Sequence, residues 1–254
     1  MMTRARGIFW TRVALIVSAV GLIELLCRLG VIRSLTMIAP SQMALELARM
    51  MASGKLTAPA VYTFTEVGTA FAVSVMTGGA LGALVHARPR LRRALEPLLV
   101  SWYAVPFFVF YPLLVALFGL NALPLIAIGV IFAAPAMMLS TLAGLDRVPR
   151  VMRKVARVHR LSRVQELRLI TVPSAAPHLF TGLKFAFAYS FIGIIAGEFI
   201  LSSGGLGYGI AYAYESFENR TMFALMLFVL LIATSVNGAL HMWDGRLARR
   251  RGRT

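Results

Sequence analysis

The sequence is poor in cysteine and in charged residues. Cys27 is the only cysteine among 254 residues, so neither an internal disulfide nor a cysteine-rich metal cluster can hold the fold together. Charged residues make up 14% of the chain, against about 25% in soluble domains, while 59% of the residues are hydrophobic. This composition excludes a soluble globular protein and indicates that a lipid bilayer organises the fold.

Motifs for catalysis and cofactor binding are also absent from the sequence. No segment matches the P-loop pattern G-x-x-x-x-G-K-[ST], because the glycine cluster around Gly204 and Gly207 lacks the lysine. The four histidines stand singly near the ends of apolar runs, and no H-E-x-x-H pair occurs. The sequence therefore predicts no catalytic residue, no metal site and no cofactor bound by this chain.

Six apolar stretches are each long enough to cross a bilayer. About 20 apolar residues span the hydrocarbon as a helix, since backbone groups in lipid must be hydrogen-bonded within the segment. The stretches cover residues 13–32, 67–85, 95–118, 123–145, 179–201 and 222–243. We predict an all-α polytopic membrane protein with about six transmembrane helices.

The distribution of basic residues predicts the orientation. The chain has 26 Lys and Arg against 10 Asp and Glu, a net charge of +16. With the N-terminus in the cytoplasm, 20 of the 26 cations fall in the cytoplasmic segments 1–12, 86–96, 146–178 and 244–254, as the positive-inside rule requires. Nucleic-acid binding is set aside, because the cations gather at the ends of apolar runs. We expect both termini to be cytoplasmic.

The membrane domain is preceded and followed by shorter regions. We assign residues 1–40 to a cytoplasmic tail and the first span, 41–60 to an extracytoplasmic amphipathic segment, 61–243 to the transmembrane domain and 244–254 to a basic cytoplasmic tail.

The N-terminal regions contain a predicted short helix and a predicted ion pair. Pro40, Ser41 and Gly54 predict a short capped helix whose methionine-rich surface anchors it in the membrane interface, in preference to docking a partner. Glu24 and Arg28 share one helix face, where an interfacial ion pair is preferred over a role in a solute path.

The longest cytoplasmic segment, residues 146–178, combines eight cations with a repeating apolar pattern. Val151, Val155 and Val158 recur at spacings of four and three, Pro149 suits a first helical turn and Pro173 marks a stop. The pattern predicts short amphipathic helices outside the bilayer, with an apolar stripe that needs a partner. A basic loop held only by lipid headgroups is the alternative. We call residues 146–178 the coupling loop.

The coupling loop resembles the segment by which permeases of bacterial ABC importers contact their ATPases. That segment has the pattern E-A-A-x-x-x-G followed, after nine intervening residues, by I-x-L-P. Its positions are occupied here, in order, by Lys154, Val155, Ala156, Arg160, Ile170, Val172 and Pro173. The spacing is kept, but Lys154 and Arg160 replace the usual glutamate and glycine, so the motif is degenerate.

Other segments resemble the nitrate, sulfonate and taurine branch of these permeases, and the similarity covers residues 40–243. One is the third span, in which the spacing of Pro97, Pro106 and Pro112 resembles that branch. Another is a stretch with two prolines, a Gly-Leu-Lys triplet, a glutamate and a Gly-Leu-Gly-Tyr turn. Its residues are Pro173, Pro177, Gly182, Leu183, Lys184, Glu198, Gly205, Leu206, Gly207 and Tyr208.

The resemblance implies a non-catalytic permease subunit in a bacterial inner membrane. Its partners would be two ABC ATPase subunits that carry ATP and Mg, a second permease chain, identical or homologous, and an extracytoplasmic solute-binding protein. Residues 151–162 would form the coupling helix. Contact with the ATPase is expected at Val151, Lys154, Val155, Ala156, Val158, His159, Arg160, Leu161, Ser162, Ile170 and Pro173.

The resemblance also suggests a solute path and a class of solute. Path or gate residues are expected at Tyr103, Pro106, Pro112, Lys184, Glu198 and Tyr208. Glu198 is equally well explained as a hydrogen-bonded structural carboxylate. The solute would be small and anionic, like a sulfonate, nitrate or taurine. The departures at Lys154 and Arg160 suggest pairing with a non-identical permease. An ion-gradient-driven transporter and a non-transporting scaffold or membrane-bound enzyme remain as alternatives.

Overall fold

The fold is a bundle of α-helices. The computed structural model describes residues 2–34 and 36–251, with side chains at 10–34, 36–95, 97–99, 101–149, 151–240 and 242–243. No strand occurs in those ranges, which confirms the all-α class. The helices are α1 Met2–Arg28, α2 Pro40–Ala52, α3 Thr57–Ala87, α4 Pro89–Ser101, α5 Tyr111–Phe118, α6 Leu123–Asp146, α7 Arg150–Val158, α8 Arg163–Glu166, α9 Val172–Leu201, α10 Gly205–Glu215 and α11 Asn219–Arg251.

Five helical segments of the described chain are long and apolar enough to cross a membrane. They contain α1, α3, α6, α9 and α11, and α4 with α5 makes a sixth if that bent pair is one span. Composition alone therefore locates the spans, because each must bury about 20 apolar residues in hydrocarbon.

The third predicted span is not one straight helix. Residues 95–118 were expected to form a single span, but the helical segments Pro89–Ala104 and Phe107–Phe118 meet at 90°. The break lies at Pro106, which stands between two short 3₁₀ turns, Trp102–Ala104 and Phe107–Phe110. Proline removes one backbone donor and clashes with the preceding helical turn, so the chain changes direction at this residue.

The core of the bundle is formed by α6 between α3 and α9. These two pairs have the most extensive contacts in the described chain. Glycines allow the close approach: a Cβ on Gly82 of α3 would lie 2.8 Å from the carbonyl oxygen of Met138 on α6. On the other side of α6, a Cβ on Gly182 of α9 would lie 2.7 Å from the Cβ of Ser140. Small residues thus set the spacing of the three central helices.

Helix α2 packs on the protein rather than facing lipid with its methionines. Met43, Leu47 and Met50 are buried, and Leu47 and Met50 join a core cluster with Leu206 of α10 and Leu225 of α11. The predicted helix is present, but its methionine-rich face is covered by the chain itself, because α10 and α11 offer an apolar surface at the same level. Met43 and Met50 therefore pack on the protein and not on lipid, whereas Met51 is 60% exposed.

Helix α1 is tied to the rest of the fold through α2. Glu24 forms the expected ion pair with Arg28, at 2.7 Å. The Glu24 carboxylate also accepts hydrogen bonds from the backbone N–H of Ser41 at 2.9 Å and from its hydroxyl at 2.6 Å. It therefore caps the N-terminus of α2, where the first N–H groups have no helical partner. None of the apolar window of α1 is buried.

Two boundaries differ from the predicted ones. Pro173 does not stop a helix, because the chain is helical from Arg163 to Leu201 and a π-helical turn, Leu167–Thr171, absorbs the missing donor just before α9. The predicted coupling helix, residues 151–162, ends earlier, since α7 stops at Val158.

The segment 244–254 was expected to be a tail. Its backbone to Arg251 continues α11, while its side chains and residues 252–254 lie outside the described residues.

Candidate functional site

The coupling loop folds around its own small core. Ala156 is 1% exposed and clusters with Val148 and Ile170, and Leu161 packs on the same cluster. Ala156, Leu161 and Ile170 therefore hold the loop together. The opposite side of α7 is open: Val158 is 79% exposed and Val151 68%. Val155, which is 41% exposed, completes this apolar stripe.

The end of α7 is a fixed turn built on Arg160. The backbone N–H of Leu161 donates to the carbonyl of Ala156 at 3.0 Å, and that of Arg160 donates to Arg157 at 3.1 Å. This pair of bonds is the Schellman motif, which requires a left-handed residue at the position of Arg160. Arg160 has φ of 51°. The motif glycine of the permease pattern falls at this position, so arginine occupies a conformation that favours glycine.

A second cap follows directly and fixes the start of α8. The hydroxyl of Ser162 accepts a hydrogen bond from the N–H of Gln165 at 3.3 Å, and the Gln165 side chain accepts one from the N–H of Ser162 at 2.8 Å. This reciprocal arrangement is a capping box. His159 and Lys154 are exposed beside these turns. Helix α7 is thus held in one orientation by bonds at its end and by its buried side.

Four polar residues join α7 to the ends of three longer helices. We call His86, Arg92, Asp146 and Arg153 the ionic junction. The carboxylate of Asp146 on α6 accepts from Arg92 of α4 at 2.8 and 3.0 Å and lies 3.1 Å from Nδ1 of His86 on α3. Arg153 of α7 lies 3.5 Å from Nε2 of His86 and donates to the carbonyl of Leu145 at 3.4 Å. The Nδ1–H tautomer of His86 satisfies both of its contacts.

At the other end of α9, Glu198 is a buried structural carboxylate. It is 0% exposed, and its Oε2 accepts from the hydroxyl of Thr63 at 2.9 Å and from the N–H of Gly207 at 2.8 Å. The Thr63 hydroxyl in turn accepts from the N–H of Leu206 at 2.8 Å. Glu198 and Thr63 therefore cap α10 and tie α3, α9 and α10 together, in the position that the helix dipole favours for an anion.

The glycine-rich turn is shaped by this carboxylate. Gly205 has φ of 96°, and a Cβ at this position would overlap the Glu198 carboxyl group. Only glycine combines that backbone angle with that approach. One helical turn deeper on α3, Glu66 is 3% exposed, and neither of its oxygens has a hydrogen-bond partner of good geometry among the described residues. The Tyr62 hydroxyl interacts with it electrostatically.

The residues predicted for the solute path lie in three different places. Tyr103 follows α4, stacks on Tyr189 of α9 with 5.0 Å between ring centroids, and donates to the carbonyl of Phe132 at 3.3 Å. Lys184 lines a cavity of about 390 Å³ between α9 and α11 with Thr181 and Asn237. Tyr208 lies on α10 near Glu198, while Pro106 and Pro112 shape the broken third span.

Sequence analysis missed the ionic junction, Thr63 and Glu66. The junction joins residues 54 to 67 positions apart, and no local pattern links them. Glu66 carries a usable signal, because it stands directly before the apolar stretch 67–85, and an acidic residue in a membrane-spanning helix is rare and marks a specific site. Thr63 had none, since a hydroxyl in a transmembrane helix commonly bonds to its own backbone.

The chain is similar to a known family of membrane transport proteins. Residues 71–251 match the family described as binding-protein-dependent transport system inner membrane component. The chain is 29% identical over 172 residues to the nitrate import permease protein NrtB of Leptolyngbya laminosa, covering 68% of this chain and 62% of the relative. It is 28% identical over 187 residues to the taurine transport system permease protein TauC of Escherichia coli, covering 73% of this chain and 67% of that one.

The fold matches a solved transporter at low sequence identity. The inward-facing methionine ABC transporter MetNI contains a chain with a TM-score of 0.60 and 18% identity, and the match covers 74% of this chain and 96% of that chain. The matched region spans less than two thirds of the NrtB relative's length.

Proposed function

This chain belongs to the binding-protein-dependent transport system inner membrane component family, and from that premise we propose that it is the permease subunit of an ATP-driven importer. Its helices form one half of a solute path across the membrane. It carries out no chemistry itself, and ATP and Mg²⁺ bind to separate ATPase subunits in the cytoplasm.

The observation that carries this proposal is the build of the coupling loop. Val151 and Val158 are exposed on a helix whose opposite face is buried and whose end is fixed by a Schellman turn. A loop that only touched lipid headgroups would not need two consecutive caps to hold an apolar stripe outward. A partner protein that packs on this stripe can move α7 as a rigid unit.

Motion of α7 reaches the bundle through two routes. Arg153 links it to the ends of α3 and α6 through the ionic junction. Ala156 links it to the turn before α9 through Val148 and Ile170. Closure of the ATPases on ATP therefore tilts α3, α6 and α9 together and alternates access to the path.

The assembly proposed here has further parts. Two ATPase subunits bind the cytoplasmic face, an extracytoplasmic binding protein delivers solute, and a second permease chain, identical or homologous, completes the path. Both termini lie in the cytoplasm. Native mass measurement of the purified complex tests whether the second chain differs: two copies of this chain with no other permease would refute a mixed pair.

We propose a small oxyanion or sulfonate as the solute. The support is the similarity to permeases named for nitrate and taurine and the position of Lys184 with Thr181 and Asn237 in a cavity between α9 and α11. A cation with two neutral polar groups is suited to holding an anion. Binding measurements on the soluble receptor that serves this permease identify the solute.

Reconstitution tests the transport proposal directly. Proteoliposomes containing this chain, its ATPases and its binding protein are expected to accumulate radiolabelled nitrate or taurine when ATP is enclosed with the ATPases, and to stop when the ATPase Walker lysine is substituted. Uptake that continues without ATP but collapses with the membrane potential would indicate a secondary transporter. Absence of any uptake over a set of small anions would indicate a scaffold.

A further inference from the structure

Five exposed cations between residues 154 and 168 of the coupling loop have no side-chain partner among the residues that the structure describes. Their side chains make no ion pair or hydrogen bond with any described residue, whereas Arg153 belongs to the ionic junction. They are Lys154, Arg157, Arg160, Arg163 and Arg168, and all of them are exposed. Glu166 is the one acidic residue in this stretch and is half-buried. We call these five residues the cationic surface.

The cationic surface is continuous with the apolar stripe of α7. Residues three and four apart lie on one helix face, so Lys154 stands between Val151 and Val158 and Arg157 flanks them. Arg160 follows at the fixed turn and Arg163 opens α8. A partner that covers the exposed valines must therefore also cover these cations.

Arg160 is the most informative member. Its φ of 51° is a conformation that arginine adopts only where its surroundings impose it. Glycine would fit without strain, and the guanidinium makes no hydrogen bond or ion pair with any residue that the structure describes. The Schellman bonds hold the backbone in this conformation, and the exposed guanidinium is left available to a partner outside the chain.

We infer that the ATPase subunit of this importer receives α7 in an acidic socket, in which carboxylates pair with Lys154, Arg157 and Arg160. The inference rests on the proposed function and names the chemistry of the partner. Burying these cations against anything but carboxylates would leave charges unpaired in an apolar interface. Charge complementarity of this kind gives specificity and fast association, so it selects the matching ATPase.

A lipid surface is the competing partner and fits the observations less well. Anionic headgroups attract cations without regard to their geometry, and they would be served equally by the exposed Arg90 and Arg93 of α4. Binding to lipid headgroups requires neither the exposed side chain of Val158 nor the left-handed backbone conformation of Arg160.

Affinity measurements on the whole chain in nanodiscs test the inference. The probe is the purified P-loop ATPase subunit that drives ATP-dependent uptake with this chain. Substituting Lys154→Gln, Arg157→Gln and Arg160→Gln together is expected to weaken its binding about tenfold at low salt, with a smaller difference at high salt. Arg93→Gln, an exposed cation of the same face outside the loop, is the matched control and is expected to stay within about twofold.

Single substitutions at Arg160 separate charge from loop structure. Arg160→Gly relieves the backbone strain, so the loop folds at least as well, yet the ATPase is expected to bind about threefold more weakly because a charge pair is lost. Arg160→Lys is expected to recover most of that loss. Equal or tighter binding by Arg160→Gly would overturn the assignment.

The remaining outcomes distinguish this inference from the proposed function. Unchanged ATPase affinity in the triple variant, with ATP-driven uptake intact, would contradict the acidic socket alone. If the variant instead lost only its binding to phosphatidylglycerol vesicles, the cations would belong to the lipid surface and the inference would fail. No binding of any P-loop ATPase to the unsubstituted chain, with no ATP-driven uptake, would contradict the proposed function itself.

Discussion

At the scale of single residues, the two departures from the permease pattern have different structural meanings. Lys154 replaces a glutamate on an exposed helix face, where either side chain fits the backbone. Arg160 replaces a glycine at a left-handed position and destabilises the turn by about 1 kcal/mol relative to glycine. The Schellman bonds and the packing of Leu161 against Ala156 offset that strain. The left-handed turn therefore forms in this chain with arginine at the position where the permease pattern has glycine.

Substitution of Glu198 should directly lower the free energy of unfolding. Glu198→Ala leaves the Thr63 hydroxyl and the Gly207 N–H buried without their acceptor, so we expect about 1–3 kcal/mol lower stability and a lower thermal unfolding temperature in detergent. The exposed Glu215→Ala is the control and is expected to shift stability by less than about 0.5 kcal/mol. Equal unfolding temperatures for the two variants would show that Glu198 does not cap α10.

At the scale of helices, hydropathy reveals the spans but not their shape. The apolar stretch 95–118 has the length of one span, and only the geometry shows that it bends by 90° at Pro106. Proline in a span is compatible with a kink or a full break, and which one occurs depends on whether neighbours satisfy the freed carbonyls. Here Trp102 donates to the carbonyl of Ile131 at 2.9 Å, a carbonyl of α6 that Pro135 leaves without a helical donor, and this bond ties the broken span to α6.

The contact between α3 and α6 depends on glycine at one position. We expect Gly82→Ala to lower stability by about 1–3 kcal/mol, because the new methyl would overlap Thr141 and the carbonyl of Met138. Gly79→Ala on the same helix meets nothing within 4 Å and should be neutral or more stable by about 0.5–1 kcal/mol. Thermal unfolding of both variants in one detergent tests the pair, and a loss confined to Gly79→Ala would contradict this packing.

The ionic junction gives a prediction about coupling between α7 and the longer helices. Asp146→Asn removes the charge that holds Arg92 and His86, so we expect the ratio of solute transported to ATP hydrolysed to fall roughly three- to tenfold. ATPase affinity should stay within about twofold, because Asp146 is not part of the cationic surface. The exposed Glu218→Gln is the control. A transport ratio unaltered by Asp146→Asn would show that movement of α7 bypasses the junction.

At the scale of the whole molecule, one helix connects the two sites. Helix α9 has 30 residues and therefore runs about 45 Å. Next to its first turn lies the core of the coupling loop, and its last turn carries Glu198. A single continuous helix thus connects the coupling loop with the glycine-rich turn.

The single cysteine makes the proposed orientation easy to test. After Cys27→Ser, a cysteine at the exposed Val158 should react with a membrane-impermeant maleimide only in inside-out vesicles. A cysteine at Leu120, which is 89% exposed between α5 and α6, should react only in intact spheroplasts. Labelling of both positions from the same side would refute the topology.

Sequence alone predicted the helical class, the spans and the loop, because these depend on composition and on spacing over a few residues. It did not predict contacts between distant residues. The pairing of Thr63 with Glu198 and of Arg92 with Asp146 exists only once α3, α4, α6 and α9 are packed. The burial of Met43 and Met50 was not predicted for the same reason, since an amphipathic helix has one pattern whether it covers protein or lipid.

The two buried glutamates also bear on how the chain is made. Glu66 leaves the ribosome more than a hundred residues before Glu198 and Gly207, and α3 must enter the bilayer while its future neighbours are still being synthesised. An acidic side chain in a membrane-spanning helix opposes translocon partitioning by up to about 3 kcal/mol, the cost at the helix centre, and Glu66 lies nine residues after the start of α3. The apolar residues of this 31-residue helix, whose 18-residue membrane-spanning window has a mean hydropathy of 1.6, have to supply that insertion energy during biogenesis. Polar substitutions on the lipid side of α3 should therefore reduce the amount of protein inserted before they affect transport.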